Sequence, residues 1–99
     1  MKFQIDNKIM IKALETILMK GKYKKGDSTE IRIISEYVYI DGSNPNNITL
    51  FNANHYCGCS LNVITPVVAD EKKSFIVEAE KAIKYLKTFS GEVSFTFGD

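Results

Sequence analysis

The chain holds one histidine, His55, and two cysteines, Cys57 and Cys59, and these small numbers exclude a good deal. Two cysteines so close together cannot frame a disulfide-stapled domain, which agrees with a reducing compartment. An extended i,i+2 pair is also poorly placed to bridge to itself. The six glycines are scattered and form neither GxGxxG nor GxxxxGKS/T, so no phosphate-cradling loop is encoded. No apolar run approaches the roughly 18–20 residues that a membrane helix needs. Met1–Asn7 alternates polar and apolar residues where a secretory leader would carry a continuous apolar stretch. Nucleophilic catalysis is poorly served: His55 lies near Cys57, but no oxyanion-hole motif accompanies them. His55, Cys57 and Cys59 would share one face of an extended strand, and zinc accepts both residue types. A structural zinc site needs four ligands in a tetrahedron, however, and no second Cys/His pair exists. The cysteines are expected to pack as small apolar side chains. The expectations are therefore no catalytic residue, no metal, no cofactor and a cytoplasmic, non-enzymatic protein.

What is present is an ordinary globular composition, 44% hydrophobic and 25% charged, in 99 residues, enough for one domain with one core. The formal net charge is only +1, but it is unevenly spread. Residues 1–25 carry seven lysines against Asp6 and Glu15, a net +5; the rest of the chain amounts to −4. A positive segment of this kind attracts phosphate backbone in a salt-dependent way, or simply solvates a helix face and a loop.

Alternation in Met1–Asp6 predicts a half-buried strand. Asn7 then serves as N-cap of a helix over Lys8–Lys20, closed by Gly21. Met10, Ile11, Leu14, Ile17 and Leu18 form its apolar stripe, opposite Lys8, Lys12, Glu15 and Met19. Lys22–Ser28 reads as a loop in which Tyr23 sits among lysines. Strands follow at Glu30–Ser35, Tyr37–Ile40 and Ile48–Asn54, the last two separated by the turn-rich Asp41–Asn47. Cys57–Val68 is extended and interrupted at Pro66, and Ala69–Lys73 is a charged turn. Phe75–Val77 is a short strand, and Glu78–Phe89 a helix with Ala79, Ala82, Ile83, Leu86 and Phe89 inward. Glu92–Phe97 is a last strand in which Val93, Phe95 and Phe97 alternate with polar residues. The aromatic residues Tyr37, Tyr39, Phe51, Phe95 and Phe97 fall at strand periodicity, as core and sheet-face residues do.

A repeat underlies this order. A shift of 72 positions pairs Phe3 with Phe75, Ile11 with Ile83, Lys12 with Lys84, Leu14 with Leu86 and Thr16 with Thr88. Ile5 and Asp6 fall conservatively on Val77 and Glu78. A strand-helix unit occurring twice in one short chain predicts a pseudo-symmetric fold.

The stretches MKFQIDNKIMIKALETI, EYVYIDGSNPNNITLFNAN and FIVEAEKAIKYLKTFSGEVSFTF together resemble the domain of DNA sliding clamps, the ring-shaped processivity factors. The resemblance implies an α+β fold built from a duplicated β-α-β-β-β unit, with two helices packed on one face of a mainly antiparallel sheet. Residues 1–99 would form one clamp-like domain, 1–68 a complete first unit and 74–99 a second unit truncated by two strands. In clamps the helices face duplex DNA. Carried over, Lys8, Lys12 and Lys20 of the first helix and Lys81, Lys84 and Lys87 of the second would contact the DNA backbone without reading sequence. Glu15 and Glu80 depart from such a surface. The apolar edge Val93–Phe97 would invite self-association or a partner chain. Polymerase or clamp loader are further partners the family implies, and no membrane is. The alternative is a small protein-binding adaptor or inhibitor that uses the open sheet edge and binds no DNA.

Overall fold

The computed structural model describes residues 1–21, 36–53, 58–69 and 73–98. The elements are β1 (Lys2–Asp6), α1 (Asn7–Gly21), β2 (Tyr37–Asp41), β3 (Asn47–Ala53) and β4 (Gly58–Ile64), then β5 (Val67–Val68), β6 (Ser74–Glu78), α2 (Ala79–Leu86) and β7 (Glu92–Thr96). The expected strand at Glu30–Ser35, and Tyr23, His55 and Cys57, lie outside the described residues. The strands form two sheets, ordered β5-β1-β7 and β4-β3-β2-β6, and every described pairing is antiparallel. The α+β class holds, with the strands divided between two sheets.

Period-two patterning sets which residues turn inward. Phe3 and Ile5 of β1, Val38 and Ile40 of β2, and Ile48 and Leu50 of β3 are buried, while Lys2, Gln4, Tyr37 and Tyr39 face solvent. From α1 the stripe Met10, Ala13, Leu14 and Ile17 enters the same core, and Ala79, Ile83 and Leu86 of α2 join it. Phe3, Phe75, Phe95 and Phe97 form a stacked seam, with ring centroids 4.9 Å apart for Phe3–Phe95 and 5.0 Å for Phe75–Phe97. Phe3 and Phe75 are partners in the repeat, so the seam joins the two halves.

The Asp41–Asn47 segment turns as its composition predicts. Asp41 Oδ1 accepts from the Ser43 amide at 2.7 Å and Asn44 Oδ1 from the Asn46 amide at 2.8 Å. Pro66 separates β4 from β5, and the amides of Thr65 and Val67 donate back to the carbonyls of Asn46 and Pro45.

Two expectations need correction. The side chain that caps α1 is that of Asp6, whose Oδ2 accepts from the Lys8 amide at 3.0 Å. Asn7 is buried instead, and its Nδ2 donates to the carbonyls of Leu86 and Phe89 at 3.2 and 2.7 Å. It thus closes the C-terminus of α2, whose last carbonyls have no partner within the helix. The second helix also stops earlier than its pattern suggested. Beyond Leu86 the chain tightens into i→i+3 bonds, Thr88 to Tyr85 and Phe89 to Leu86, and Phe89 emerges 43% exposed rather than inward.

The repeat is realised to the residue. Moving β1 by 72 positions lands on β6 with both ends matched, and α1 and α2 begin at equivalent positions. The pairing is crossed: β1 pairs with β7, the strand after α2, and β6 pairs with β2, the strand after α1. The registers correspond along all five rungs, from Lys2↔Thr96 and Ser74↔Asp41 to Asp6↔Glu92 and Glu78↔Tyr37. Even the flanking bonds match, Phe97 N–H to Met1 O at 2.9 Å and Gly42 N–H to Lys73 O at 2.7 Å. The molecule has an internal pseudo-twofold relating β1-α1-β2 to β6-α2-β7.

Candidate nucleic-acid interface

The two helices pack against each other, α1 also against β1, β2, β3 and β4, and α2 against β6. The faces turned away from the sheets carry the lysines. Lys8 and Lys12 are one turn apart on α1 and exposed; Lys81 and Lys84 are exposed on α2, and Lys87 is exposed at its C-cap. Lys20 lies in the last turn of α1, and its side chain falls outside the described set. Lys12 and Lys84, equivalent in the repeat, are both exposed, and their neighbours Leu14 and Leu86 are both buried.

The helix-helix junction holds an open groove of about 380 Å³ lined by Glu15 and Leu18 of α1 with Glu80, Ile83, Lys84 and Lys87 from the α2 side. Two carboxylates and two ammonium groups therefore share one recess. Leu18 and Ile83 supply the apolar part of its lining. Lys81 stands apart, with its Nζ 3.4 Å from Glu78 Oε2. With the lysine side chain 79% exposed, such a pair contributes little to stability and leaves the charge available to an anion. Lys84 in the last turn of α2 and Lys87 at its cap also sit where the helix dipole favours cations. That local stabilisation needs no ligand, and it favours two of the three lysines on the α2 side.

Among the described residues no group of three His, Cys, Asp or Glu side chains could hold a metal ion. Cys59 is half-buried on β4 and packs against the core. Among the described residues no helix is long and apolar enough to cross a membrane. The exposed aromatic residues Tyr37, Tyr39 and Phe51 lie on the outer face of the four-stranded sheet, where Tyr39 meets Phe51 edge-on at 6.4 Å. Phe95 and Phe97 are half-buried in the seam with Phe3 and Phe75.

This arrangement, two packed helices flanked by antiparallel sheets and related by a pseudo-twofold, is the fold of a domain of the bacterial β sliding clamp. Over 99% of its length the chain matches Caulobacter crescentus polymerase III β with a TM-score of 0.75 and 16% identity, covering 24% of that chain. It matches the DNA polymerase III β chain of Streptococcus pneumoniae over 99% of its length, with a TM-score of 0.75 and 20% identity, covering 26% of that chain. The Helicobacter pylori β clamp, solved in complex with carprofen, is matched over the whole chain at a TM-score of 0.74 and 13% identity, covering 25%. The chain thus spans about a quarter of the length of these proteins. No protein-family model and no curated protein sequence matches it.

Proposed function

We propose that this chain is a non-enzymatic, sliding-clamp-like domain that holds duplex DNA through its sugar-phosphate backbone. The observation that carries the reading is the position of Lys12 and Lys84, repeat-equivalent and both exposed on two packed helices whose opposite faces form the core. A pseudo-twofold ligand such as duplex DNA would meet the same charge from both halves. Lys8, Lys12 and Lys20 on α1, with Lys81, Lys84 and Lys87 on the α2 side, would supply sequence-independent phosphate contacts, weak individually and screened by salt. In this reading residues 1–68 and 74–99 belong to two related units, and polymerase or clamp loader would be partners of the assembled protein. Replacing the six lysines by glutamine should abolish retention on duplex DNA at low salt while the far-ultraviolet circular dichroism stays unchanged. Undiminished retention would refute the reading.

A second reading is favoured by β7, which pairs with β1 and with no other described strand. Here the edge at Val93–Phe97 recruits a second copy or a partner chain, and the domain acts as a protein-binding adaptor without DNA. The six-lysine variant would then keep full activity.

A further inference from the structure

The pseudo-twofold provides an internal control for the outer face of the four-stranded sheet. The ladders β1-β7 and β6-β2 are equivalent rung by rung, so each outward position on one has a counterpart on the other. On β1 and β7 these positions are polar: Gln4 stands opposite Ser94, to whose Oγ its Nε2 donates at 3.0 Å, and Glu92 lies at the next outward position. The counterparts on β6 and β2 are Ile76, Tyr39 and Tyr37, all exposed, Ile76 at 61%. Phe51 of β3 faces Tyr39 from the other side and is exposed as well. One half of the fold fills these positions with polar side chains, so folding does not require the apolar ones of the other half. An exposed apolar cluster that the fold does not demand marks an interaction surface.

The rings are held in place and the charge around them has one sign. The hydroxyl of Tyr39 shares a hydrogen bond of 2.8 Å with Ser74 Oγ, and its ring meets Phe51 edge-on at 6.4 Å. Rings fixed in this way lose little further freedom when a ligand is laid on them. Among the described residues, the outward positions of the four strands include Asp41 and Glu78 but neither lysine nor arginine. Asp41 is anchored by the Ser43 amide at 2.7 Å, and Glu78 is shared with Lys81 at 3.4 Å, a weak exposed pair that another cation can replace. Nucleic acid fits this face poorly. Bases stack on aromatic rings, but their phosphates need cations alongside, and here they would meet carboxylates. A second copy laid face to face would set one carboxylate-rimmed surface against another. A guanidinium suits both features, since its plane stacks on an aromatic ring while its donors pair with carboxylates.

We propose that the outer face of β6, β2 and β3 docks an extended, arginine-rich segment of a partner protein. Guanidinium planes would lie on Tyr37, Tyr39 and Phe51, with their donors directed at Asp41 and Glu78. Tyr37 and Tyr39 are two residues apart on one strand, so their separation matches that of alternate side chains in an extended peptide. Ile76 completes the apolar ground beneath the stems of the arginine side chains. None of these residues lies on a helix, and the proposal is independent of the lysines and of the DNA reading.

The test uses the full chain and an acetylated, amidated octapeptide that alternates arginine with alanine, beside its citrulline counterpart as the neutral isostere. The arginine peptide should shift the ring proton resonances of Tyr37, Tyr39 and Phe51 saturably, and the citrulline peptide should bind about tenfold more weakly or worse. Tyr39→Thr with Phe51→Thr keeps β-branched residues in both strands. It should weaken the arginine peptide about fivefold or more with the fold intact by far-ultraviolet circular dichroism. Asp41→Asn with Glu78→Gln leaves every ring in place, keeps an acceptor for the Ser43 amide and removes no side-chain cap from α2. This second variant should weaken the same complex and flatten its salt dependence. Equal binding of the two peptides, unshifted rings at millimolar arginine peptide, or undiminished binding by the charge variant would overturn the proposal. So would ring shifts produced by oligothymidylate and not by the peptide, or a dimer in sedimentation that Tyr39→Thr with Phe51→Thr dissolves.

Discussion

Asn7 links the two halves of the molecule through one side chain. Its Nδ2 ties the end of α2 to the start of α1, while its own amide donates to the Gly91 carbonyl at 2.8 Å. Its Oδ1 is buried without a hydrogen-bond partner among the described residues, so part of the benefit is offset by that desolvated oxygen. Asn7→Ala should destabilise the fold by about 1–3 kcal/mol, read from urea unfolding, because it removes the side-chain donor that the Leu86 and Phe89 carbonyls share. Gly42 is constrained by contact rather than conformation: a Cβ there would strike Met1 Sδ and come within 2.9 Å of Val67 Cγ1. Gly42→Ala should therefore cost about 1–3 kcal/mol in the same assay, as overpacked cores do. An unchanged midpoint would mean that Met1 swings aside freely. Neither role was legible in the sequence. An asparagine before a helix looks like a cap whether or not it serves one, and Asn7 meets carbonyls about eighty positions away.

At the scale of elements, α1 and α2 present lysines outward because their inward positions are fixed by burial. Leu14→Ala, at a position with no solvent exposure, should lower stability by about 2–5 kcal/mol through lost transfer energy and an unfilled cavity. The acidic residues of the inter-helix groove give the DNA reading a prediction of opposite sign. Glu15→Gln with Glu80→Gln should strengthen duplex binding at low salt, and a weaker complex would argue that the carboxylates position Lys84 and Lys87 rather than repel phosphate. Most of the described strands, and the helix starts to within a residue, were readable because alternation and the 3.6-residue stripe are local patterns. The end of α2 was not: Phe89 continues the stripe in sequence, but the tightened turn after Leu86 carries it into solvent.

For the whole molecule, the duplication was visible as a 72-residue shift, and the structure turns it into a crossed pair of ladders. The crossing could not be read in advance, because β1 and β7 lie at opposite ends of the chain and their pairing depends on tertiary closure. The pairing of Lys12 with Lys84, on which the DNA reading depends, follows from the same symmetry. The most direct measurement is the salt dependence of duplex binding, by fluorescence anisotropy, for the unaltered chain, Lys12→Gln, Lys84→Gln and the double variant. If the two residues face one duplex, each single change should flatten the slope of log K against log salt by about 0.9, and the double change by about twice that. Equal slopes for all four proteins, or a change confined to one lysine, would contradict the account.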